Sequence, residues 1–189
     1  MRTADAQWIP SSPQQTWDAL LDPAVLQDCL PGCVRVTQIA EREYEIAVRA
    51  TVAGLEAEYE GEVLLSDLRP GESLALAFEG KGAAAGMAIG TAQLQLTPKD
   101  HGTRLAYTLA VMTGGPLAAL GEAALTKAGQ RLIEKFFSRF IEHMARQPRQ
   151  APPPPPPEPP AKGLAASRWS WVVVVLVLAL LVSYHLLFK

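Results

Sequence analysis

Hydrophobic and polar residues alternate through the middle of the chain with the period of two that is typical of half-buried strands. Two such runs are separated only by Ala53-Gly54, which predicts a tight hairpin turn. A shorter extended stretch ends at Ile9, next to Pro10. The pattern therefore predicts an antiparallel sheet with one polar face. Its clearest strands cover 44–52, 55–63, 73–79, 89–96 and 104–111.

The spacing of apolar residues becomes helical on both sides of this strand region. Ser12-Pro13 is a helix start with an N-cap serine and a first-turn proline, and Asp22-Pro23 starts a second helix that ends near Cys29. Residues 117–144 are expected to form one long helix. Its apolar stripe consists of Leu117, Leu120, Ala124, Ala128, Leu132, Phe136, Phe140 and Met144.

The long helix has small residues in its first half, such as Gly121 and Ala124, and phenylalanines in its second half. A curved sheet around a helix that is slender at one end should leave an apolar cavity between the two. The alternative is a helix that lies close against the sheet without a void. The residues expected to line the cavity are Trp17, Leu30, Tyr44, Tyr59, Phe78, Met87, Tyr107, Leu120, Ala124 and Phe136.

The C-terminal segment has the pattern of a membrane anchor. Residues 169–188 contain no Asp, Glu, Lys or Arg, and 20 helical residues span about 30 Å, the thickness of the hydrocarbon core of a bilayer. Trp169, Trp171 and Tyr184 stand at its two ends, as in an aromatic belt. More basic residues precede the segment than follow it, which favours a cytoplasmic body on a single C-terminal anchor over 164–189 in the cytoplasmic membrane.

A proline-rich linker is predicted between body and anchor, over 148–163. Nine of the thirteen residues 148–160 are proline, and such a run adopts an extended polyproline II conformation of about 3.1 Å per residue. The alternative interpretation is a ligand for an aromatic-lined groove. The chain is thus divided into a globular domain over 1–147, this linker and the anchor.

The charge and the titratable residues limit the classes of partner and site that the domain can have. Residues 1–147 carry 13 basic and 18 acidic side chains, a net charge of −5, which disfavours nucleic acid as a partner. The three histidines are scattered over a predicted turn (His101), the end of the long helix (His143) and the anchor (His185), so no catalytic residue, metal site or covalently bound cofactor is assigned. Cys29 and Cys33 are interpreted as packing or loop residues, with a redox pair or a metal site as alternatives. The alternate glutamates of the second strand of the hairpin are interpreted as its solvent-exposed face, and no chemistry is assigned to them: Glu56, Glu58, Glu60 and Glu62.

Several glycine-rich segments are candidates for loops that border the cavity or a partner. The segment 80–86 lies between two predicted strands and lacks the ending of a phosphate-binding loop, so it is interpreted as a flap or a docking loop. Turn geometry alone is the other interpretation of these glycines. The residues concerned are Pro31, Gly32, Gly80, Lys81, Gly82, Gly86, Gly114 and Gly115.

The order of a strand, two short helices, six strands and a long helix is similar to the helix-grip fold of the START-like, Bet v 1-like (SRPBCC) superfamily, an α+β fold with a curved antiparallel sheet around a C-terminal helix. More narrowly, the chain resembles the CoxG family of carbon monoxide dehydrogenase subunits. The motifs that carry this resemblance are Thr16-Trp17-Asp18-Ala19-Leu20, Cys29-Leu30-Pro31-Gly32-Cys33, Glu60-Gly61-Glu62-Val63, Gly80-Lys81-Gly82, Gly114-Gly115-Pro116-Leu117 and Phe136-Phe137.

The resemblance implies an accessory protein and not a catalyst. Such a protein recruits a molybdenum-containing carbon monoxide dehydrogenase, or a related hydroxylase, to the cytoplasmic membrane. It also binds a hydrophobic molecule, and a respiratory quinone or another lipid is the ligand expected. Two other functions stay open at this point: a general carrier of hydrophobic ligands, and a cyclase-type enzyme of the same fold, which would need titratable groups inside the cavity.

Overall fold

The computed structural model describes residues 1–52, 55–82 and 86–147. The element order agrees with the prediction: one strand, two helices, six strands and a C-terminal helical region. The strands are β1 (Arg2–Ile9), β2 (Cys33–Ala40), β3 (Glu43–Val52), β4 (Leu55–Arg69), β5 (Ser73–Gly82), β6 (Gly86–Lys99) and β7 (Gly102–Gly114). The helices are α1 (Pro13–Leu21), α2 (Pro23–Cys29), α3 (Pro116–Ala119) and α4 (Glu122–Arg146).

The seven described strands form one curved antiparallel sheet in the order β1-β7-β6-β5-β4-β3-β2. Every neighbouring pair from β2 to β7 is consecutive in the chain, so these strands form a continuous meander. Strand β1 is instead paired across a long sequence separation, with Arg2 opposite Ala110 and Ile9 opposite Thr103. The C-terminal helix lies on one face of this sheet, as the helix-grip prediction requires.

The two short helices begin where the sequence predicts. Ser12 Oγ accepts from the backbone N–H of Gln15 at 3.2 Å, and the Gln15 side chain accepts from the backbone N–H of Ser12 at 3.3 Å, which is a complete capping box. Asp22 Oδ1 accepts from the N–H of Ala24 at 2.8 Å and caps α2. These caps satisfy backbone N–H groups in the first turn of each helix, which otherwise have no partner within the helix.

The packed core closes the end of the sheet at which β1 ends and β7 begins. Ile9, Leu105 and Phe140 are completely buried there, together with Met144. The hydroxyl of the buried Thr103 donates to the backbone oxygen of Ser11 at 2.7 Å, which ties β7 to the turn before α1. The second half of α4 is therefore anchored in the core.

The C-terminal helical region differs from the prediction of one helix over 117–144. The structure has a short helix, α3, then a break at Gly121, and α4 begins at Glu122. Gly121 has φ +82°, a left-handed backbone conformation that glycine adopts without steric cost and that interrupts a right-handed helix. The part of the predicted apolar stripe before Gly121 consequently does not continue the stripe of α4.

Three sequence predictions lie outside the described residues: the hairpin turn Ala53-Gly54, the proline-rich linker and the C-terminal anchor. Residue contacts divide the chain into two compact units, Met1–Ala151 and Pro152–Lys189. Among the described helices, none combines the length and the hydropathy that a membrane span requires.

Candidate ligand-binding cavity

A cavity of about 460 Å³ lies between the inner face of the sheet and helices α1, α2 and α4. All described residues that line it are hydrophobic, and the only polar side-chain atoms they carry are the hydroxyls of two tyrosines. The sheet contributes Tyr44, Ile46, Val48, Val63, Leu65, Leu74, Leu76, Phe78, Ala92, Leu94, Tyr107 and Leu109. The helices and the turn after α2 contribute Leu20, Leu21, Leu26, Leu30, Pro31, Leu132, Ile133, Phe136 and Phe137.

The strand register explains why the floor of the cavity is continuous and apolar. Ala92 in β6 lies opposite Leu76 in β5 and opposite Leu109 in β7, so three lining positions stand side by side across the centre of the sheet. Because successive side chains of a strand point to opposite faces, every second residue of these strands faces the cavity. Ala92 is the smallest of the lining residues, and the methyl group leaves room between the two leucines.

Phe78 and Gly90 form the part of the floor nearest the β5–β6 hairpin. They are opposite each other in the register, and a Cβ atom added at Gly90 would lie 2.5 Å from Cζ of Phe78. The phenylalanine ring thus lies over the glycine, in the space that any other side chain at position 90 would occupy. Glycine at this position is required for the close approach of the ring.

The two lining tyrosines are held by different contacts. Tyr44 donates a hydrogen bond from its hydroxyl to the backbone oxygen of Leu21 at 2.8 Å, which connects β3 to the end of α1. The ring of Tyr107 stacks on Phe137, with 5.1 Å between the ring centroids. Burial raises the pKa of both phenols, with nearby carboxylates adding to the effect. Both are neutral near pH 7, so the described cavity wall carries no charge.

The wall formed by α4 consists of its bulky half. Leu132, Ile133, Phe136 and Phe137 face the cavity, and Phe136 also stacks on the buried Phe140 at 5.7 Å. The sequence pattern predicts that the small residues of the first half create the space. The structure instead places the cavity against the bulky half of α4.

Five predicted lining residues are brought together around the cavity: Leu30, Tyr44, Phe78, Tyr107 and Phe136. Trp17, also predicted to line it, is packed in the core with 5% of its surface exposed.

The other four predicted lining residues do not belong to the described lining. Leu120 lies before the break at Gly121, and Ala124 in the first turn of α4 is exposed to solvent. Met87 is in β6, opposite Lys81 and Gly114 near the hairpin end of the sheet. Tyr59 is in β4, opposite Val48.

Sequence reasoning missed lining residues of β5 and β6, including Leu74, Leu76 and Leu94. Their alternation with polar residues predicts the strands. The cross-strand register that places them around the same cavity cannot be deduced from a single sequence. The prediction of a solvated outer face for β4 is confirmed, since Glu56, Glu58, Glu60 and Glu62 are all exposed.

The glycine-rich segments lie where three strands meet at one end of the sheet. In the segment 80–86, predicted as a loop, Gly80, Lys81 and Gly82 end β5 and Gly86 begins β6, and residues 83–85 lie outside the described residues. Gly114 ends β7, and a Cβ at the adjacent Gly115 would lie 3.1 Å from the Cα of Gly86. These glycines permit a close approach of backbones. Pro31 lines the cavity, Gly32 accepts from the N–H of Arg49 at 2.8 Å, and Lys81 pairs with Glu79 at 2.7 Å.

The described residues offer little catalytic or metal-binding chemistry. No group of three or more His, Cys, Asp or Glu side chains in this part of the chain could hold a metal ion. Cys29 and Cys33 are both free thiols, and burial raises the pKa of each. A thiol with a raised pKa is poorly nucleophilic near neutral pH.

Solved structures with the same fold come from several bacteria. A conserved protein from Geobacillus kaustophilus is 26% identical with a TM-score of 0.73, and the match covers 77% of this chain and 95% of that protein. TTHA0849 from Thermus thermophilus is 16% identical with a TM-score of 0.58 over 77% and 97% of the two chains. The Zhui aromatase/cyclase from Streptomyces sp. R1128 is 13% identical with a TM-score of 0.60 over 77% and 94%. These likenesses confirm the helix-grip fold.

A comparison with curated protein sequences finds no match. The profile of one protein family, described as the G subunit of carbon monoxide dehydrogenase (CoxG), matches residues 7–145. This range includes the whole cavity and most of the described chain. The match confirms the resemblance carried by the glycine-rich and aromatic motifs, and the chain belongs to the CoxG family of carbon monoxide dehydrogenase subunits.

Proposed function

We propose that this protein is a non-catalytic, membrane-anchored accessory protein that binds a hydrophobic molecule in its cavity and recruits a molybdenum-containing carbon monoxide dehydrogenase to the cytoplasmic membrane. The observation that carries the proposal is the uncharged, apolar cavity of about 460 Å³. Cavities of this size and lining favour small hydrophobic ligands, because burial of apolar surface drives their binding.

The ligand and the anchor support each other in this proposal. An oxidoreductase that delivers electrons to a membrane-dissolved carrier needs access to that carrier, and a respiratory quinone is the hydrophobic molecule that fits this role. The anchor expected over 164–189 and the extended linker before it would keep the domain close to the bilayer while leaving it free to contact a soluble enzyme. The name of the family supplies the identity of the proposed enzyme partner.

A cyclase-type activity is less well supported. Enzymes that catalyse proton transfers need titratable groups close to the substrate. The described cavity wall offers only the phenols of Tyr44 and Tyr107, and the hydroxyl of Tyr44 already donates to Leu21. A general carrier of hydrophobic molecules would use the same cavity, and it differs from our proposal only in having no dedicated enzyme partner.

Cell fractionation tests the recruitment part of the proposal. We expect a chain that lacks residues 164–189 to leave the membrane fraction and to shift the dehydrogenase into the soluble fraction. A control chain in which an unrelated transmembrane helix replaces 164–189 should retain both proteins at the membrane. If this protein moves to the soluble fraction and the dehydrogenase stays at the membrane, recruitment is contradicted. A general carrier of hydrophobic molecules would then be the better supported function.

A further inference from the structure

Four exposed cations form one row on the outer surface of α4: Lys127, Arg131, Lys135 and Arg139. They are spaced four residues apart, so neighbours in the row are one turn apart on the helix surface. Each step turns by about 40° and rises by about 6 Å, so the row covers about a third of the helix circumference over about 18 Å. The cavity-lining Ile133 and Phe137 lie on the opposite side of the same helix.

The four cations of this row have no ion-pair partner among the described residues. Other exposed cations of the domain do have one, since Lys81 pairs with Glu79 at 2.7 Å and Arg146, beyond the row, pairs with Glu142 at 2.5 Å. Glu134 is the one acidic residue between positions 127 and 139. This stretch of α4 therefore has a net charge of +3 that the described ion pairs leave uncompensated.

Charge is distributed unequally between the two sides of the domain. Helix α4 carries five basic and three acidic side chains, whereas the rest of residues 1–147 carries eight basic and fifteen acidic ones. The cavity separates α4 from the inner face of the sheet, so the outer face is on the far side of the domain. The exposed glutamates of that outer face include Glu45, Glu58, Glu60, Glu62 and Glu79. An anionic surface would therefore attract the helix side and repel the sheet side.

A bilayer that contains anionic lipids is the partner that these observations favour. The anchor expected over 164–189 would hold the domain at the membrane, and the linker 148–163 would reach at most about 50 Å at about 3.1 Å per residue. Because a tethered domain has a high effective concentration at the surface, a weak contact is sufficient. Electrostatic interactions decay over about 8 Å at physiological ionic strength, so the headgroups interact with the row that faces them and little with the distant glutamates.

The contact would depend on charge and not on insertion into the bilayer. The apolar residues Phe137, Phe140 and Met144 of α4 are buried in the domain, so this helix has no apolar face to place among acyl chains as an interfacial amphipathic helix does. A Lys or Arg near an anionic bilayer surface increases the affinity about fivefold. Four such residues form a contact that salt weakens, because added ions screen exposed charges.

We propose that the row formed by Lys127, Arg131, Lys135 and Arg139 is a docking surface for the anionic phospholipid headgroups of the cytoplasmic membrane. Docking holds α4 against the bilayer and turns the acidic outer face of the sheet toward the cytoplasm, where a soluble enzyme can reach it. This inference rests on the membrane anchoring in the proposed function and adds the orientation of the domain on the membrane.

Acetylation of lysine side chains tests the proposal on the unmodified full-length chain in lipid nanodiscs. Nanodiscs of phosphatidylcholine are compared with nanodiscs of an equal mixture of phosphatidylcholine and phosphatidylglycerol, and mass spectrometry gives the reaction rate of each lysine. We expect Lys127 and Lys135 to react about three- to tenfold more slowly in the anionic nanodiscs, and we expect high salt to remove the difference. Lys81 and Lys99, which are exposed on the sheet, are internal controls and should react at equal rates in both.

Two double variants separate the row from the total charge of the domain. Arg131→Gln with Arg139→Gln should reduce the protection of both reporter lysines to less than about 1.5-fold. The matched control, Arg69→Gln with Arg104→Gln, removes the same charge from exposed sheet positions and should retain the protection. The circular dichroism spectrum of each variant establishes that it is folded.

Equal rates for the reporter lysines in the two kinds of nanodisc would overturn the docking surface while leaving the proposed function intact. Protection that depends on an added soluble dehydrogenase, and not on anionic lipid, would overturn the bilayer as the partner of this row. An equal loss of protection in both double variants would overturn the specific role of α4. A full-length chain that does not enter nanodiscs would instead contradict the membrane anchoring, and the inference with it.

Discussion

Substitution of Ala92 by leucine distinguishes an open cavity from a packed interior by the sign of its effect on stability. Ala92 lies in the centre of the cavity floor between Leu76 and Leu109. In a cavity of about 460 Å³, three additional carbon atoms have room and bury new apolar surface. In a filled core, the same atoms would force neighbouring side chains apart.

The expected change in the free energy of unfolding follows from the apolar surface that is buried and from the entropy that the side chain loses. Three additional buried carbons contribute about 2.4 kcal/mol at about 0.8 kcal/mol each, and the ordering of a leucine side chain costs about 0.5–1 kcal/mol. We therefore expect Ala92→Leu to raise the free energy of unfolding by about 1.5 kcal/mol. The matched control is Ala19→Leu, because Ala19 is packed in the core with 6% of its surface exposed. This control should lose about 1–3 kcal/mol from overpacking.

Urea unfolding of the full-length chain in detergent, followed by circular dichroism of the sheet, measures both effects. With a slope of about 2 kcal/mol per molar urea, the Ala92→Leu midpoint should increase by about 0.7 M. The ligand must be removed before the comparison, because a bound ligand stabilises the native state of the parent chain. A decrease in stability for Ala92→Leu similar to that of Ala19→Leu would refute the cavity.

Three further predictions concern single contacts. Tyr44→Phe should lower the free energy of unfolding by about 1 kcal/mol, because the backbone oxygen of Leu21 loses its donor; an unchanged urea midpoint would contradict this. Gly90→Ala should lower the free energy of unfolding by about 1–3 kcal/mol, because its Cβ would meet Phe78 and a backbone oxygen. In the control Gly80→Ala the added Cβ lies in open space. Equal losses of stability in the two variants would contradict the steric role of Gly90. The free energy of unfolding should decrease as pH rises above the ordinary thiol pKa of about 8.5. Burial raises the pKa of the Cys29 thiol in the folded state. The unfolded state therefore loses the thiol proton first and is favoured at alkaline pH. That alkaline decrease should be smaller in Cys29→Ala, and an identical pH profile would contradict the assignment.

Much of the fold could be predicted because its signals are local. The capping residues Ser12 and Asp22 lie at the helix starts that the sequence predicted. The alternation of β3 and β4 placed Tyr44 and Ile46 on the inner face and the glutamates on the outer face. Strand ends were placed less well, since Gly80 and Gly82 continue a strand although glycine is typical of turns.

The cavity could be predicted only in part because it depends on long-range geometry. The helical stripe assigned Leu120 and Ala124 to the lining, but the left-handed conformation of Gly121 ends that stripe before α4 begins. The actual wall is formed by Leu132, Ile133, Phe136 and Phe137, in the bulky half of α4. Neither the curvature nor the register that places Ala92 beside Leu76 and Leu109 can be deduced from spacing along one chain.

The proposed function depends on the binding of a hydrophobic molecule in the cavity. Native mass spectrometry of the full-length chain, purified from membranes in detergent and followed by solvent extraction, tests it most directly. We expect about one neutral hydrophobic molecule per chain in the parent protein and a strongly reduced amount in Ala92→Trp, in which a large side chain fills the cavity floor. Ligand binding in the cavity would be contradicted if the parent chain carried no such molecule and took up none when supplied with a quinone.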